Sequence, residues 1–527
     1  MDTGMNQDQP IDGRSRLKEE HAFKHFPQLK SSWFFAFATL TVLLALVAYV
    51  WFISCGLWVE WPNTTNDYTQ LASAFQHGSL ALEAKPSPAL LALHNPYDPG
   101  ERHSLNYPLD YSLYNGKYYL YFGPTPALFL LLLRLLGFDN IGDQTLSFVF
   151  AAGIFIVQSL LIIKIWRRFF HTIPAWMIPL CILFCGLMSP MPWILTLARV
   201  YEAASTGGQF FFLAGLYFLI IAMERESISV GGFLVAGTLW MLAVGSRLTL
   251  ILPVGFMILM AAFWAFRIHS GTRLFSTAVR PLISLALPSI LGLAILGWYD
   301  WARFNSVFET GLMYQLAGPF LQLYSHVLFS PLYLLPDLYN YLFVRPKILR
   351  TFPYVKAGQG AGASRFPFLS LPRVYYANNL SGILPSTPFI LFAIIPMVFL
   401  LLRKKSAGNQ ADRENHTYSF NWLTISLAGS SLFGFAPLVM FFWVDARYIL
   451  DFMPSLILLS LIGFWQGYRF MTDKPSLRKW YLVAGMMLMV ISVIISILLA
   501  LSQNALQFQQ FNPVLWKHLI DFFPRIK

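Results

Sequence analysis

The sequence predicts an all-α, polytopic membrane protein with about 11 transmembrane helices and long outer loops that carry juxtamembrane helices. Composition is the first reason. Of 527 residues, 56% are hydrophobic and only 12% are charged, whereas a soluble domain carries about 25% charged residues. The mean hydropathy is +0.56. The second reason is length: apolar runs near the ~20 residues that cross a bilayer recur along the whole chain. Such a chain lacks the charge to cover a soluble surface. Soluble enzyme, disordered protein, fibre and nucleic-acid-binding domain are all poorly supported. The net charge of +12 fits cytoplasmic loops facing anionic lipid, not a nucleic-acid partner. Cys55, Cys181 and Cys185 lie in or beside apolar segments without CxxC spacing, so they read as small core residues.

In chain order, a cytoplasmic tail is expected over 1–32 and a transmembrane domain over 33–502. An outer tail is expected over 503–527. Spans are expected at 33–55, 144–166, 173–193, 205–223, 230–246, 249–266, 281–299, 383–402, 419–442, 449–466 and 480–502. The apolar segment 123–137 is short for a span and opens on Gly123, Pro124 and Pro126, which predicts a re-entrant or interfacial helix. With the N-terminus in the cytoplasm, roughly 20 of the 37 Lys and Arg fall on the short inner segments. An odd number of spans then leaves the C-terminus outside.

Two long outer segments follow from this layout, at about 56–143 and about 298–382. Loops of this length inside an ordered protein usually carry function. The first starts Trp58-Val-Glu60-Trp-Pro62 and runs through Asn66-Asp67-Tyr68 into a helical pattern closed by His77-Gly78. An acidic residue at the head of a helix on the membrane surface is well placed to take a proton from an acceptor hydroxyl or amine. It also suits a helix N-terminus for dipole reasons alone. Asp139 and Asp143 are expected to cap the second span. The second segment shows helix-like apolar patches around 320–343.

Further motifs lie along the predicted outer face: Asn95-Pro-Tyr-Asp-Pro99, Asp110-Tyr-Ser-Leu-Tyr-Asn-Gly-Lys117, Arg199-Val-Tyr-Glu202, Tyr299-Asp-Trp-Ala-Arg303 and Arg447-Tyr-Ile-Leu-Asp451. Their order and side resemble the integral-membrane GT-C glycosyltransferases, the group of the protein-mannosyltransferases, aminoarabinose transferases and bacterial lipopolysaccharide sugar transferases. The similarity extends from about Ser32 to Ala500. Those relatives often carry two adjacent acidic residues in the first loop, where this chain has Asn66-Asp67.

The resemblance implies a polyprenyl-phosphate sugar as donor, and a glycan, lipid or protein acceptor at the outer face of a cell membrane. It implies Asp67 as general base in an inverting displacement, with Glu202 assisting or orienting the acceptor. Lys117, Arg199, Arg247, Arg303 and Arg447 are the candidate phosphate-binding cations. Ionisable residues at membrane depth are costly and point to function, and guanidinium groups suit phosphate. Each also has a structural reading: a local Arg199–Glu202 pair, an Arg447–Asp445 pair, or snorkelling to the headgroups. No metal ligand set is evident and no cofactor is expected, although a divalent metal is open. Two other functions compete, a carrier or flippase of lipid-linked saccharide and a catalytically degenerate membrane subunit. A fixed outer acid favours the enzyme.

Overall fold

The structure, a computed structural model, describes residues 31–138, 141–188, 190–224, 229–268, 278–402, 411–503, 505–523 and 525. Among these, seven helices are long and apolar enough to cross a membrane: Trp33–Ile53, Asp143–Phe169, Val200–Glu224, Leu248–Arg267, Arg280–Phe304, Thr417–Met440 and Pro475–Ser502. They coincide with seven of the expected spans. The other four are shorter or less apolar. Three become the helices Met177–Leu187, Val230–Ser246 and Pro388–Leu402, and the fourth is the 18-residue Met453–Phe470. Proline explains two of the shortfalls. Pro190 and Pro192 separate Met177–Leu187 from the short helix Met191–Thr196, and Pro388 opens a tight six-residue turn before Ile394–Leu402. A proline supplies no N–H and crowds the preceding turn, which favours a break there, although Pro288 is accommodated inside Arg280–Phe304.

Val200–Glu224 lies at the centre, packed between Asp143–Phe169 and Val230–Ser246. Its buried residues include Ala203, Ala204, Gly207 and Gly208, small side chains that let membrane helices approach closely. Arg280–Phe304 is the opposite case, with only 17% of its most apolar window buried. Its outward Ile, Leu and Trp side chains are suited to lipid.

The bundle has two chemically distinct ends. At one, Phe34 stacks on Trp166 at 5.0 Å, Lys164 and Arg168 pair with Glu224, and Arg469 donates to the Phe169 carbonyl. At the other, Trp51 meets Phe508 at 5.1 Å, and Asn512 donates to the Cys55 carbonyl at 3.1 Å. The first helix therefore starts at the basic end, and the last long helix finishes at the other. The tail 1–30, the residue Asp139 and the basic segment 403–410 lie outside the described residues.

Both long segments emerge at the second end. The first holds the helix Asp67–Gln76, the hairpin Tyr111–Tyr114 with Lys117–Leu120, and the helix Thr125–Leu135. The hairpin turns on Asn115-Gly116, both at positive φ (47° and 70°), which is the geometry an Asn-Gly two-residue turn favours. The short helix expected over 123–137 is present. It packs against Asp67–Gln76, and its Arg134 donates to Ser73, to Gln76 and to the Thr69 carbonyl. In the second segment, only Leu334–Phe343 of the region 320–343 is α-helical; the rest is tight turns.

Candidate active site

The site grows from the head of the Asp67–Gln76 helix. Asn66 stands at its N-cap and makes no side-chain cap. The capping carboxylate comes from far along the chain. Asp143 accepts from the Asp67 N–H at 2.9 Å and from the Tyr68 N–H at 3.1 Å. It also accepts from the Thr65 hydroxyl at 2.7 Å, and that hydroxyl accepts the Val200 N–H at 2.9 Å. Asp143 opens its own helix, yet its side chain caps a different one, which corrects the expectation that it caps the second span. The orphan N–H groups of a helix start need some acceptor, and Asp143 meets that need. Asp67 itself is free of capping. Its Oδ1 accepts the Tyr111 hydroxyl at 2.8 Å.

Beside it stands a second carboxylate. Asp110 precedes Tyr111, holds a left-handed backbone at φ 65°, and accepts a hydrogen bond from the Tyr201 hydroxyl. An Asp tolerates that backbone better than most residues. Burial holds the Asp67 carboxyl above its ordinary value, the Tyr111 hydroxyl opposes the rise, and the charge of Asp110 adds to it. Burial also raises Asp110, opposed by the Tyr201 hydroxyl and by Arg447, Arg102 and Arg199. The chain thus builds a pair of acidic groups from residues 67 and 110, where Asn66-Asp67 alone offers one.

Cations line the other side. Arg447 lies over the Tyr201 ring at 4.3 Å, and Arg199 lies over the same ring at 5.0 Å. Arg247 and Arg447 share the Tyr448 ring, at 5.1 and 5.2 Å. These arginines differ in what else they hold. Arg199 donates to Glu202 through its backbone N–H and its guanidinium, at 3.1 to 3.3 Å. Glu202 is fully buried, and the contact both caps the Val200–Glu224 helix and pairs the charge. Arg247 Nε sits 2.6 and 2.7 Å from the two oxygens of Asp451. Arg447 has no salt bridge to a carboxylate among the described residues. The neighbouring Asp445 accepts the Arg447 backbone N–H and the Asn378 side chain.

Two expected cations lie elsewhere. Lys117 is exposed at the turn of the hairpin, opposite Tyr114 and at the far end from Tyr111. Arg303 is buried, donates to the Leu120 carbonyl at 2.7 Å and to Asp300 at 2.5 Å, and lies 3.8 Å over the Tyr299 ring. It is a strut between the Arg280–Phe304 helix and the hairpin. Arg247 reaches the site because two glycines let the chains cross. A methyl on Gly123 would strike the Gly245 carbonyl, and one on Gly245 would strike the Thr125 hydroxyl.

Sequence reasoning misses Asp110, Tyr111, Tyr201 and Arg102 as site residues. The Asn-Gly turn flanked by aromatics is the one available signal, since it announces a hairpin that carries Asp110 and Tyr111 at its base. Among the described residues, no three His, Cys, Asp or Glu side chains stand together as metal ligands.

No protein-family model and no curated protein matches the sequence. The chain is similar to the crystal structure of the Archaeoglobus fulgidus oligosaccharyltransferase in its apo form, at 12% identity and a TM-score of 0.44. That similarity covers 92% of this chain and 57% of that one, so the chain spans a little over half the length of that protein. It is also similar to ArnT from Cupriavidus metallidurans bound to undecaprenyl phosphate, at 10% identity and a TM-score of 0.41, over 91% of this chain and 76% of that one.

Proposed function

We propose that this chain is a GT-C-type membrane glycosyltransferase that moves a sugar from a polyprenyl-phosphate donor to an acceptor on the outer face of the membrane. The observation that carries the proposal is the release of Asp67 from helix capping. Its carboxylate is instead oriented by a tyrosine hydroxyl, beside a second acid and a cluster of arginines.

The reaction assigned to these groups is one displacement. Asp67 takes the proton of the acceptor hydroxyl or amine. The acceptor atom bonds to the anomeric carbon as the bond from that carbon to the phosphate oxygen breaks. The configuration inverts, and polyprenyl phosphate departs with the electron pair. Arg447 makes no ion pair within 4 Å among the described residues and feels Asp445 and Glu202 only at longer range, which makes it the group best placed to offset that charge. A fixed guanidinium in a dry site stabilises developing anionic charge strongly. Arg247 and Arg199 face the same rings while already paired, so they support the field more than they bind directly. Glu202 keeps Arg199 and the helix start in place, which fits a positioning role.

Asp67→Asn tests this. The substitution leaves the helix cap intact, since the cap belongs to Asp143, and an amide oxygen still accepts the Tyr111 hydroxyl. With defined polyprenyl-phosphate sugars and mass spectrometry of products, turnover is expected to fall by a factor of about 10² or more while the protein inserts and binds donor as before. Unchanged turnover removes Asp67 as the base. A large loss in Glu202→Gln, with Asp67→Asn active, moves the base to the second outer loop.

A further inference from the structure

The second outer segment carries a cavity of its own. Between residues 338 and 382 the chain has six basic residues, Arg345, Lys347, Arg350, Lys356, Arg365 and Arg373, and no acidic one. All six are exposed. None takes part in a salt bridge among the described residues. A local excess of one sign raises the concentration of the opposite charge nearby. This lobe therefore presents an excess of positive charge that no salt bridge among the described residues neutralises.

Within it lies a cavity of about 900 Å³, lined by Tyr339, Phe343, Arg345, Gln359, Ser364 and Arg365, among others. Small-ligand sites commonly fall in this range of volume. Arg365 lies 5.2 Å over the Tyr339 ring and donates to its hydroxyl at 3.1 Å, which holds one guanidinium at the wall. Phe343 is 52% exposed, an apolar face left open beside the two cations. Gln359 and Ser364 add an amide and a hydroxyl.

The wall is rigidly built. Asn340 is buried and takes both backbone groups of Ala361, at 2.7 and 3.1 Å. Leu380 donates to the Gly358 carbonyl at 3.0 Å. Farther along, Tyr376–Ala377 pairs in parallel with Trp443–Val444, and Asn378 donates to Asp445 at 2.7 Å. The same Asp445 accepts the Arg447 N–H. Cavity wall and Arg447 loop thus form one hydrogen-bonded unit.

Two guanidinium groups select carboxylate or phosphate, since their N–H forks match those oxygens in pairs. Aromatic faces with an amide and a hydroxyl suit the flat C–H faces and hydroxyls of a sugar ring. We propose that this cavity binds a saccharide bearing carboxylate or phosphate groups. Binding at this cavity does not depend on the reaction assigned to Asp67.

The test is isothermal titration of the full chain in detergent with trigalacturonate, maltotriose, inorganic phosphate and vesicles of phosphatidylglycerol. Trigalacturonate is expected to bind at least about tenfold tighter than maltotriose or phosphate, with affinity falling as salt rises. Arg345→Ala and Arg365→Ala are each expected to weaken it about tenfold or more, while Asp67→Asn binds as the unaltered chain does. Both arginines are exposed, so folding is not at stake, and a thermal melt of each variant confirms it. Equal binding of maltotriose, or equal binding of phosphate, overturns the proposal. So does undiminished binding in both variants, or arginine-dependent binding of the vesicles alone, which makes the lobe a bilayer contact. Turnover retained in Asp67→Asn, with trigalacturonate binding lost in the arginine variants, defeats the catalytic reading and leaves this one standing.

Discussion

Asp67 and Asp110 show how two side chains set each other's chemistry. Burial raises both carboxyls, and each has a tyrosine hydroxyl that favours its charged form. A base must be deprotonated to act, so a raised value moves the acid limb of the rate profile upward. The limb of kcat/KM is expected above the ordinary carboxylate range. Tyr111→Phe removes the hydrogen bond that favours the Asp67 anion, and should move the limb further up. Asp110→Asn removes the neighbouring negative charge, and should move it down. Opposite displacements of the limb identify Asp67 as the titrating base. A limb that neither substitution moves belongs to another group.

At the scale of elements, the site depends on clamps between pieces distant in sequence. The Asp67–Gln76 helix is held at its head by Asp143 and at its tail by Arg134. The Leu334–Phe343 helix is held in another way. Its Asp337 is fully buried, accepts the Tyr375 hydroxyl at 2.8 Å, and is pushed up to about 8 by burial. Since the folded value lies above that of the unfolded chain, folding takes up a proton there. Stability is then greatest at low pH and declines as pH climbs from the ordinary carboxylate range to about 8. The slope is at most ~1.4 kcal/mol per pH unit, and it flattens above. Asp337→Asn keeps the acceptor for Tyr375 without the charge. Thermal unfolding between pH 5 and pH 9 should slope downward for the unaltered chain and lose that component in the variant. Identical slopes in the two would show that Asp337 does not titrate in this range.

For the whole molecule, the asymmetry of the two ends carries the topology. The pairs Lys164–Glu224 and Arg168–Glu224 and the donor Arg469 gather at one end, and the candidate site and both long segments gather at the other. By the positive-inside rule the basic end is expected in the cytoplasm, and labelling tests that expectation. The native cysteines Cys55, Cys181 and Cys185 are buried, so an introduced thiol labels against a low background. A membrane-impermeant reagent on intact cells should reach cysteines placed at Ala84, Lys356 and Gln510 and miss those at Lys404 and Lys474. Labelling at Lys404 from outside reverses the orientation and removes the outer-face reaction with it.

The sequence by itself determined the class of molecule, because recurrent apolar runs of about 20 residues suit bilayer-crossing helices and 12% charge is too little to cover a soluble surface. It also located seven helices long and apolar enough to cross a membrane, the short helix after Gly123 and the helix that Asp67 opens, since each is a local pattern. Where proline interrupts, the local pattern misjudged length: 173–193 and 383–402 look continuous in hydropathy and are broken in backbone. The rest was decided only in three dimensions. That Asp143 caps a helix 76 residues earlier, that Asp110 joins Asp67, and that Arg303 is a strut while Arg447 makes no direct ion pair among the described residues are facts about partners. A lone carboxylate or guanidinium looks the same in a sequence whatever it touches. Its role is set by which opposite charge, hydroxyl or N–H group the fold brings within about 3 Å; a local pair such as Arg199–Glu202 is legible in the spacing, whereas a distant one is chosen by packing.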